Sequence, residues 1–143
     1  MSSRDCVFLD TSGWIALLHD DDEFHARAKE ELDELGRAGR TLVTTDWVLA
    51  ETGNSLSRVP ARRRFRGAVD TFMASPKCRL LRVDMRLFEE ALDLYERVAD
   101  KRWGLVDCAS FVLMQREKIL IAFTTDHHFQ QAGFRRLLVS QPR

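Results

Sequence analysis

The feature that most constrains the fold is a repeated alternation of short apolar runs with longer segments of helical spacing. Five runs of four to six residues have the apolar and β-branched composition of strands, and helical patterns separate them. Neighbouring parallel strands need a crossover connection of about a dozen residues, usually a helix. The alternation therefore predicts an α/β sandwich in which helices cover both faces of a mainly parallel sheet.

Capping residues, glycines and prolines set the boundaries of the predicted elements. The predicted strands are residues 6–9, 41–44, 80–83, 119–123 and 134–139. The predicted helices are residues 14–18, 24–35, 47–56, 60–74, 85–98, 106–116 and 127–132. Polar side chains that precede three of these helices are expected to cap them, namely Thr11 with Ser12, Thr45 with Asp46, and Asp84.

Composition limits the protein to a few broad classes. A chain of 143 residues with 45% hydrophobic residues suits a single domain over residues 1–143. Because 22 Lys and Arg balance 22 Asp and Glu, nucleic-acid binding would have to depend on a local patch. Apolar stretches such as 119–123 are far shorter than the roughly 20 residues of a membrane span. Since residues 1–5 also lack signal-peptide features, we expect a cytoplasmic protein with three reduced cysteine thiols.

Four acidic residues occupy strand ends or apolar helix segments, where a carboxylate suggests a functional role. Asp10 and Asp126 directly follow predicted strands, and ligands of parallel α/β sheets bind beyond the carboxyl ends of the strands. Glu51 shares a helix face with apolar residues, and Asp107 lies in the first turn of an otherwise apolar helix. Each acid alone is also compatible with a turn or a helix cap. Together they predict one acidic crevice.

A crevice with four carboxylates predicts a bound cation. Two unpaired carboxylates about 4 Å apart repel each other by roughly 4 kcal/mol at an effective dielectric constant of about 20. Oxygen donors without Cys or His at zinc spacings favour Mg²⁺ or Mn²⁺. Such an ion lowers the pKa of a bound water and stabilises an in-line displacement, so the pattern indicates phosphoryl chemistry.

Four segments also carry a resemblance to a known family. They are residues 7–14 (VFLDTSGW), 48–52 (VLAET), 105–111 (LVDCASF) and 124–134 (TTDHHFQQAGF). Together they resemble a PIN domain and, within that family, the VapC-like toxins. The resemblance implies a PIN-like three-layer sandwich with helices flanking a mainly parallel central sheet. It also implies that Asp10, Glu51, Asp107 and Asp126 hold Mg²⁺ or Mn²⁺ for endoribonuclease activity, in the toxin of a type II toxin–antitoxin pair.

The acids are expected to differ in role. Asp10 and Asp107 stand on stiff supports and are predicted to bind the metal directly, whereas Glu51 and Asp126 complete the site. Polar side chains near them are predicted to orient the carboxylates, or else to be ordinary cap and turn residues: Thr11, Ser12, Asn54 and Thr124. Gly104 and Val106 replace hydroxyl residues that the family often carries before the third acid, so we expect a different cap at Asp107.

Basic and aromatic residues suggest where RNA binds. Arg62, Arg63 and Arg66 are predicted to form a phosphate-binding face of one helix, with a merely solvated face as the alternative. His127 and His128 are either substrate contacts or surface turn residues. Aromatic side chains that could stack on bases are more typical of the core, namely Trp14, Trp47 and Phe72.

Other functional classes fit the sequence less well. An aspartyl-phosphate phosphatase expects an acid two residues after the strand-end aspartate, where this chain has Ser12. A response-regulator receiver expects a lysine after a late strand, and residues 124–126 contain none. A PIN nuclease that is not a toxin and an RNA-binding PIN module without catalysis stay open.

Two protein partners are also expected. An antitoxin would have to silence a toxin until it is needed. Helical apolar residues beyond those that a small sheet requires suggest a homodimer, namely Trp14, Leu17, Leu18, Phe65 and Phe72.

Overall fold

The computed structural model describes residues 3–140, and its centre is a five-stranded parallel sheet. The strands are β1 (Cys6–Leu9), β2 (Thr41–Thr45), β3 (Cys78–Leu81), β4 (Ile121–Phe123) and β5 (Arg135–Arg136). Their order in the sheet is β3-β2-β1-β4-β5. The helices that flank the sheet are α1 (Thr11–Leu18), α2 (His25–Arg37), α3 (Asp46–Ser55), α4 (Arg62–Ala74), α5 (Met85–Arg97), α6 (Leu105–Glu117) and α7 (His128–Gln131). The predicted α/β sandwich is confirmed.

The central position of β1 follows from its composition. All four of its residues are buried, as expected of a strand that is covered on both faces. Val7 aligns with Leu42 of β2 on one side and with Ile121 of β4 on the other. Because the strand order reverses between β1 and β4, the carboxyl ends of these two strands border the crevice where ligands of such sheets bind.

Gly13 allows α1 to cross the carboxyl end of this sheet closely. A Cβ atom at this position would lie 2.3 Å from the carbonyl oxygen of Phe123 and 2.6 Å from its ring. A backbone carbonyl at the end of β4 has little freedom to move away. A residue with any side chain would therefore push α1 off the strand ends.

Several predicted boundaries need correction. Thr45 and Asp84 cap α3 and α5 as predicted, by accepting hydrogen bonds from Val48 and Leu87. Thr11 and Ser12 do not cap α1, because the helix begins at Thr11 and Asp10 occupies the cap position. Their hydroxyl groups are directed to the acidic site instead. Pro60 lies in the turn before α4, so this helix begins two residues later than predicted, at Arg62.

The predicted strands 119–123 and 134–139 are too long. The amide of Ile119 donates to the carbonyl of Met114 and so closes the end of α6, which removes that residue from β4. Strand β5 retains only two residues, although the amides of Leu137 and Leu138 still donate to carbonyls of Ala122 and Thr124. Strand β3 also begins and ends two residues earlier than the predicted run at 80–83.

The residues that suggested a homodimer are largely used inside the monomer. Trp14 and Phe72 are buried and pack together with a ring distance of 5.4 Å, and Phe65 packs on Gly53. Their surplus apolar surface is therefore smaller than the sequence suggested. The exposed large apolar residues are Met73, Met85, Leu92, Tyr95 and Leu120.

The remaining global expectations concern thiols and membranes. Cys6 and Cys108 are buried, Cys78 is half-buried, and none of the three forms a disulfide, as predicted. Within residues 3–140, no helix combines the length and the apolar character that crossing a membrane requires.

Candidate active site

The sheet brings Asp10 to its carboxyl edge in a buried position. Asp10 follows β1 directly, its amide donates to the carbonyl of Phe123, and only 3% of its surface is exposed. The Thr124 hydroxyl donates to Asp10 Oδ2 over 2.9 Å, and the Ser12 hydroxyl lies 3.3 Å from the same oxygen. Two hydroxyl groups therefore contact this buried carboxylate, and their proposed role is to orient it.

The same hydroxyl groups shape the loop that carries Asp126. Ser12 Oγ lies 2.8 Å from Thr124 Oγ1 and accepts a hydrogen bond from the Thr125 amide. Thr124 Oγ1 accepts from the Asp126 amide over 3.0 Å. The hydroxyl groups of Ser12 and Thr124 form a hydroxyl relay, which connects the start of α1 to the loop after β4. This relay fixes the positions of Asp10 and Asp126 relative to each other.

Glu51 joins the site through Thr11. The Thr11 hydroxyl donates to Glu51 Oε1 over 2.5 Å and so connects α1 with α3. Glu51 borders an open groove of about 510 Å³, which Trp47, Asn54 and Val106 also line. The structure places Asn54 on this groove, beside Glu51, rather than in the hydroxyl relay.

Asp107 occupies the first turn of α6, and His128 contacts both Asp107 and Asp126. Its Oδ2 accepts a hydrogen bond from the Gly104 amide over 3.4 Å, and the Gly104 position provides no side-chain cap for α6. His128 Nδ1 lies 3.3 Å from Asp107 Oδ2 and 3.3 Å from Asp126 Oδ1. The sequence placed His128 near substrate or in a turn and did not predict this bridge.

Burial and repulsion between carboxylates raise the pKa values of Asp10 and Asp107. Burial raises the pKa of Asp10 to about 7, and repulsion from Asp107 adds to the increase. Burial likewise raises the pKa of Asp107 to about 6, with a further contribution from the charge of Asp126. These contributions place Asp10, Asp107 and Asp126 near one another at this edge of the sheet.

The donors of this cluster fit a hard divalent cation. Asp10, Asp107 and Asp126 lie at the same edge of the sheet, and Glu51 is joined to this edge through Thr11. The salt bridges of residues 3–140 provide neither Asp10 nor Glu51 with a Lys or Arg partner. Asp10, whose pKa is raised first by burial and then by the charge of Asp107, is expected to ionise fully once a cation neutralises the cluster. Oxygen ligands of this kind suit Mg²⁺ or Mn²⁺. Asp10, Asp107, Asp126 and Glu51 are the residues that would hold the ion.

Arg136, which the sequence did not single out, supports the Asp126 loop. Arg136 in β5 donates from Nη1 to the carbonyl of Thr125 over 2.7 Å. This contact joins the edge strand to the residue before Asp126. Only the pairing of β5 with β4 creates it, so no local sequence pattern predicts it.

The predicted RNA-binding arginines lie on the first turns of α4. Arg62, Arg63 and Arg66 are exposed. Arg62 also donates to the carbonyl of Ser57, and Arg66 pairs with Asp70 over 3.3 Å. Because Phe65 packs on Gly53 of α3, the basic helix lies against the helix that carries Glu51. RNA binding by this face stays a prediction.

Comparisons with known proteins agree with this geometry. The PIN domain family matches residues 7–135. The 23S rRNA-specific endonuclease VapC20 of Mycobacterium tuberculosis is 30% identical over 128 residues, in strains CDC 1551 / Oshkosh and ATCC 25618 / H37Rv alike, covering 90% of this chain and 95% of the relative. The crystal structure of M. tuberculosis VapC20, described as a sarcin-ricin loop cleaving toxin, superposes with a TM-score of 0.78 and covers 90% of this chain and 95% of that one. The resemblance seen in the sequence is confirmed, and the chain belongs to the PIN domain family.

Proposed function

We propose that this protein is a metal-dependent endoribonuclease and the toxin of a type II toxin–antitoxin pair. The observation that carries the proposal is the meeting of Asp10, Asp107 and Asp126 at the β1–β4 edge, to which Thr11 ties Glu51, and where burial and neighbouring carboxylates raise the pKa of Asp10 and of Asp107. The relationship to VapC20, which is named as an rRNA endonuclease, supports the same activity. A PIN nuclease that is not a toxin, or a non-catalytic RNA-binding module, is the alternative.

Each acid has a distinct place in the proposed mechanism. Asp10 and Asp107 would hold Mg²⁺ or Mn²⁺ directly, and Glu51 and Asp126 would complete the site. When bound, the ion lowers the pKa of a water and offsets the charge that develops on the phosphodiester. Ser12 and Thr124 fix the Asp10 carboxylate, and Thr11 fixes Glu51, so the ligands are oriented before the substrate arrives.

Neighbouring nucleophiles do not offer an alternative chemistry. Burial and the charge of Asp107 raise the pKa of the Cys108 thiol to about 11, which leaves it neutral at physiological pH. Ser110 is buried on α6. Neither side chain has the adjacent base that covalent catalysis requires. The attacking group in the proposed reaction is therefore water.

The proposed substrate is structured RNA, and a ribosomal RNA loop is the first class to test. The support is the 30% identity to a 23S rRNA-specific endonuclease over 90% of this chain. The exposed arginines of α4 would contribute phosphate contacts beside the acidic site. Cleavage of a synthetic sarcin-ricin stem-loop but not of transfer RNA would support this class, and the reverse would replace it.

The direct test of the site uses single charge-neutralising variants. We expect Asp10→Asn and Asp107→Asn to lose RNA cleavage by about 100-fold or more, because each removes a ligand charge from the metal site. Asp93→Asn, which changes an exposed carboxylate of α5, is the matched control and should keep full activity. All proteins are assayed with Mg²⁺ or Mn²⁺ and again with EDTA. Unchanged metal-dependent cleavage by either site variant would refute the assignment.

The proposal also includes the domain organisation, the location and the protein partners of this chain. We expect residues 1–143 to act as one domain in the cytoplasm, where RNA substrates are found. An antitoxin and a second copy of this chain are the proposed protein partners. An open apolar groove of about 470 Å³, bordered by Trp14, Leu17, Leu18 and Phe72, still provides surface for a protein contact.

A further inference from the structure

We infer that His128 is a positioning residue of the acidic site, which holds Asp107 and Asp126 in place relative to each other. This inference rests on the proposed metal-dependent function. This positioning role differs from the roles of the four acids and of the hydroxyl relay. The bridge joins two acids that come from different elements, α6 and the loop after β4.

The geometry places His128 in contact with both acids. His128 Nδ1 lies 3.3 Å from Asp107 Oδ2 and 3.3 Å from Asp126 Oδ1, and the backbone amide of His128 donates to the same Asp126 oxygen over 2.9 Å. The imidazole is 19% exposed, so it lies within the crevice rather than in bulk solvent. A neutral ring that carries its proton on Nδ1 can donate to Asp107, while the backbone amide of the same residue donates to Asp126, so His128 contacts both acids.

Packing fixes the position of the histidine. The next residue, Phe129, is fully buried and packs edge-on against Phe111 of α6 with a ring distance of 4.8 Å. Trp103 Nε1 donates to Gln131 over 2.9 Å and joins the other end of α7 to the segment before α6. Helix α7 and the start of α6 are therefore coupled, and His128 stands between the acids that these elements position.

The neighbouring histidine provides an internal control. His127 Nδ1 lies 3.8 Å from Asp126 Oδ1, which is beyond hydrogen-bond distance, and its side chain is 64% exposed. Both residues have the same chemistry and differ by one position in the chain. Only His128 connects Asp107 with Asp126.

The test measures Mn²⁺ affinity by calorimetry in the full-length wild-type protein and in three variants. We expect His128→Ala to bind Mn²⁺ about 10-fold more weakly, which is the usual effect of removing a group that orients metal ligands. His128→Asn should recover most of the affinity, because its amide nitrogen can donate from nearly the position of Nδ1. His127→Ala should stay within about twofold of wild type. RNA cleavage at subsaturating Mn²⁺ should fall in the order wild type, His128→Asn and His128→Ala, whereas the melting temperatures of the metal-free proteins should agree closely.

The outcomes separate this inference from the proposed function. Equal Mn²⁺ affinity and cleavage in wild type and His128→Ala would overturn the positioning role and leave the metal site intact. A loss that His128→Asn does not restore, together with a lower melting temperature, would show a purely structural role and also overturn it. Absence of Mn²⁺ binding in wild type, with binding equally absent in Asp10→Asn, would overturn the proposed function and this inference with it.

Discussion

At Asp10, burial and hydrogen bonding shift the pKa in opposite directions. It is buried and accepts hydrogen bonds from Thr124 and Ser12, which stabilise its charged form. Burial and the neighbouring charge of Asp107 act in the opposite direction and raise the pKa of Asp10 to about 7. An ionised Asp10 therefore destabilises the folded protein without metal, and metal binding removes that destabilisation.

This conflict makes stability depend on pH in a specific direction. A carboxyl whose pKa is raised from 3.8 when unfolded to about 7 when folded binds more protons in the folded state between these values. The free energy of unfolding of the metal-free protein should consequently fall as pH rises from about 4 to about 7. Asp107, with a folded pKa of about 6, contributes in the same direction. Urea denaturation in EDTA measures the effect, and added Mn²⁺ should reverse it at pH 8.

Neutralising Asp10 tests the cause of that pH dependence. We expect Asp10→Asn to stabilise the metal-free protein at pH 8 by roughly 1–3 kcal/mol, since each unit of pKa shift corresponds to about 1.4 kcal/mol. At pH 4 the difference should nearly vanish, because Asp10 is then protonated in the folded wild type. Asp93→Asn serves as the control. A large loss of stability at pH 8 would mean that the acid has a structural role instead.

At the scale of elements, the close approach of α1 to the strand ends decides whether the site forms. Gly13→Ala places a Cβ atom 2.3 Å from the Phe123 carbonyl oxygen and should destabilise the fold by about 2 kcal/mol or more, while also displacing Asp10 and Ser12. Gly67→Ala in α4 is the matched control, since nothing lies within 4 Å of its Cβ position. That change should stabilise the protein by about 0.5–1 kcal/mol through helix propensity. Similar melting temperatures for both variants would contradict the close approach.

The basic face of α4 should contribute to RNA affinity rather than to metal binding. Replacing Arg62, Arg63 and Arg66 together by Ala should weaken RNA binding and lower the log–log salt slope by roughly 0.7 for every phosphate that these arginines no longer neutralise. Fluorescence anisotropy over a range of salt concentrations measures both quantities. Replacement of Arg97 on α5 is a control for general charge loss. If the slope of the triple variant does not change, the α4 arginines form only a solvated surface.

At the scale of the whole molecule, the toxin proposal predicts assembly. Light scattering of the isolated chain should report about twice its mass of 16.5 kDa. Co-expression with an antitoxin, encoded by a small gene immediately upstream, should produce a co-purifying complex with suppressed ribonuclease activity. An antitoxin tail that presents Arg or Lys to the acidic crevice would explain the suppression. A monomer that cleaves RNA, binds no such partner and leaves its host unharmed would retain the nuclease function but exclude the toxin role.

The sequence by itself determined the class of the fold and directed attention to the four acids. Alternation of strand-like and helical periods is a local property, and strand ends or helix turns place Asp10, Asp126 and Asp107 without knowledge of distant contacts. The lengths of β4 and β5 were overestimated because their limits depend on hydrogen bonds with other parts of the chain, such as the Ile119 amide to the Met114 carbonyl.

Only the tertiary structure decided how the acids are held. The hydrogen bonds of Thr124 with Asp10, of Thr11 with Glu51 and of His128 with Asp107 join residues that lie 114, 40 and 21 positions apart. The raised pKa of Asp10 likewise arises from burial and from a neighbour in another helix. Local patterns carry no information about such pairs, because the relative placement of α1, α3, α6 and α7 exists only once the sheet has brought the strand ends together.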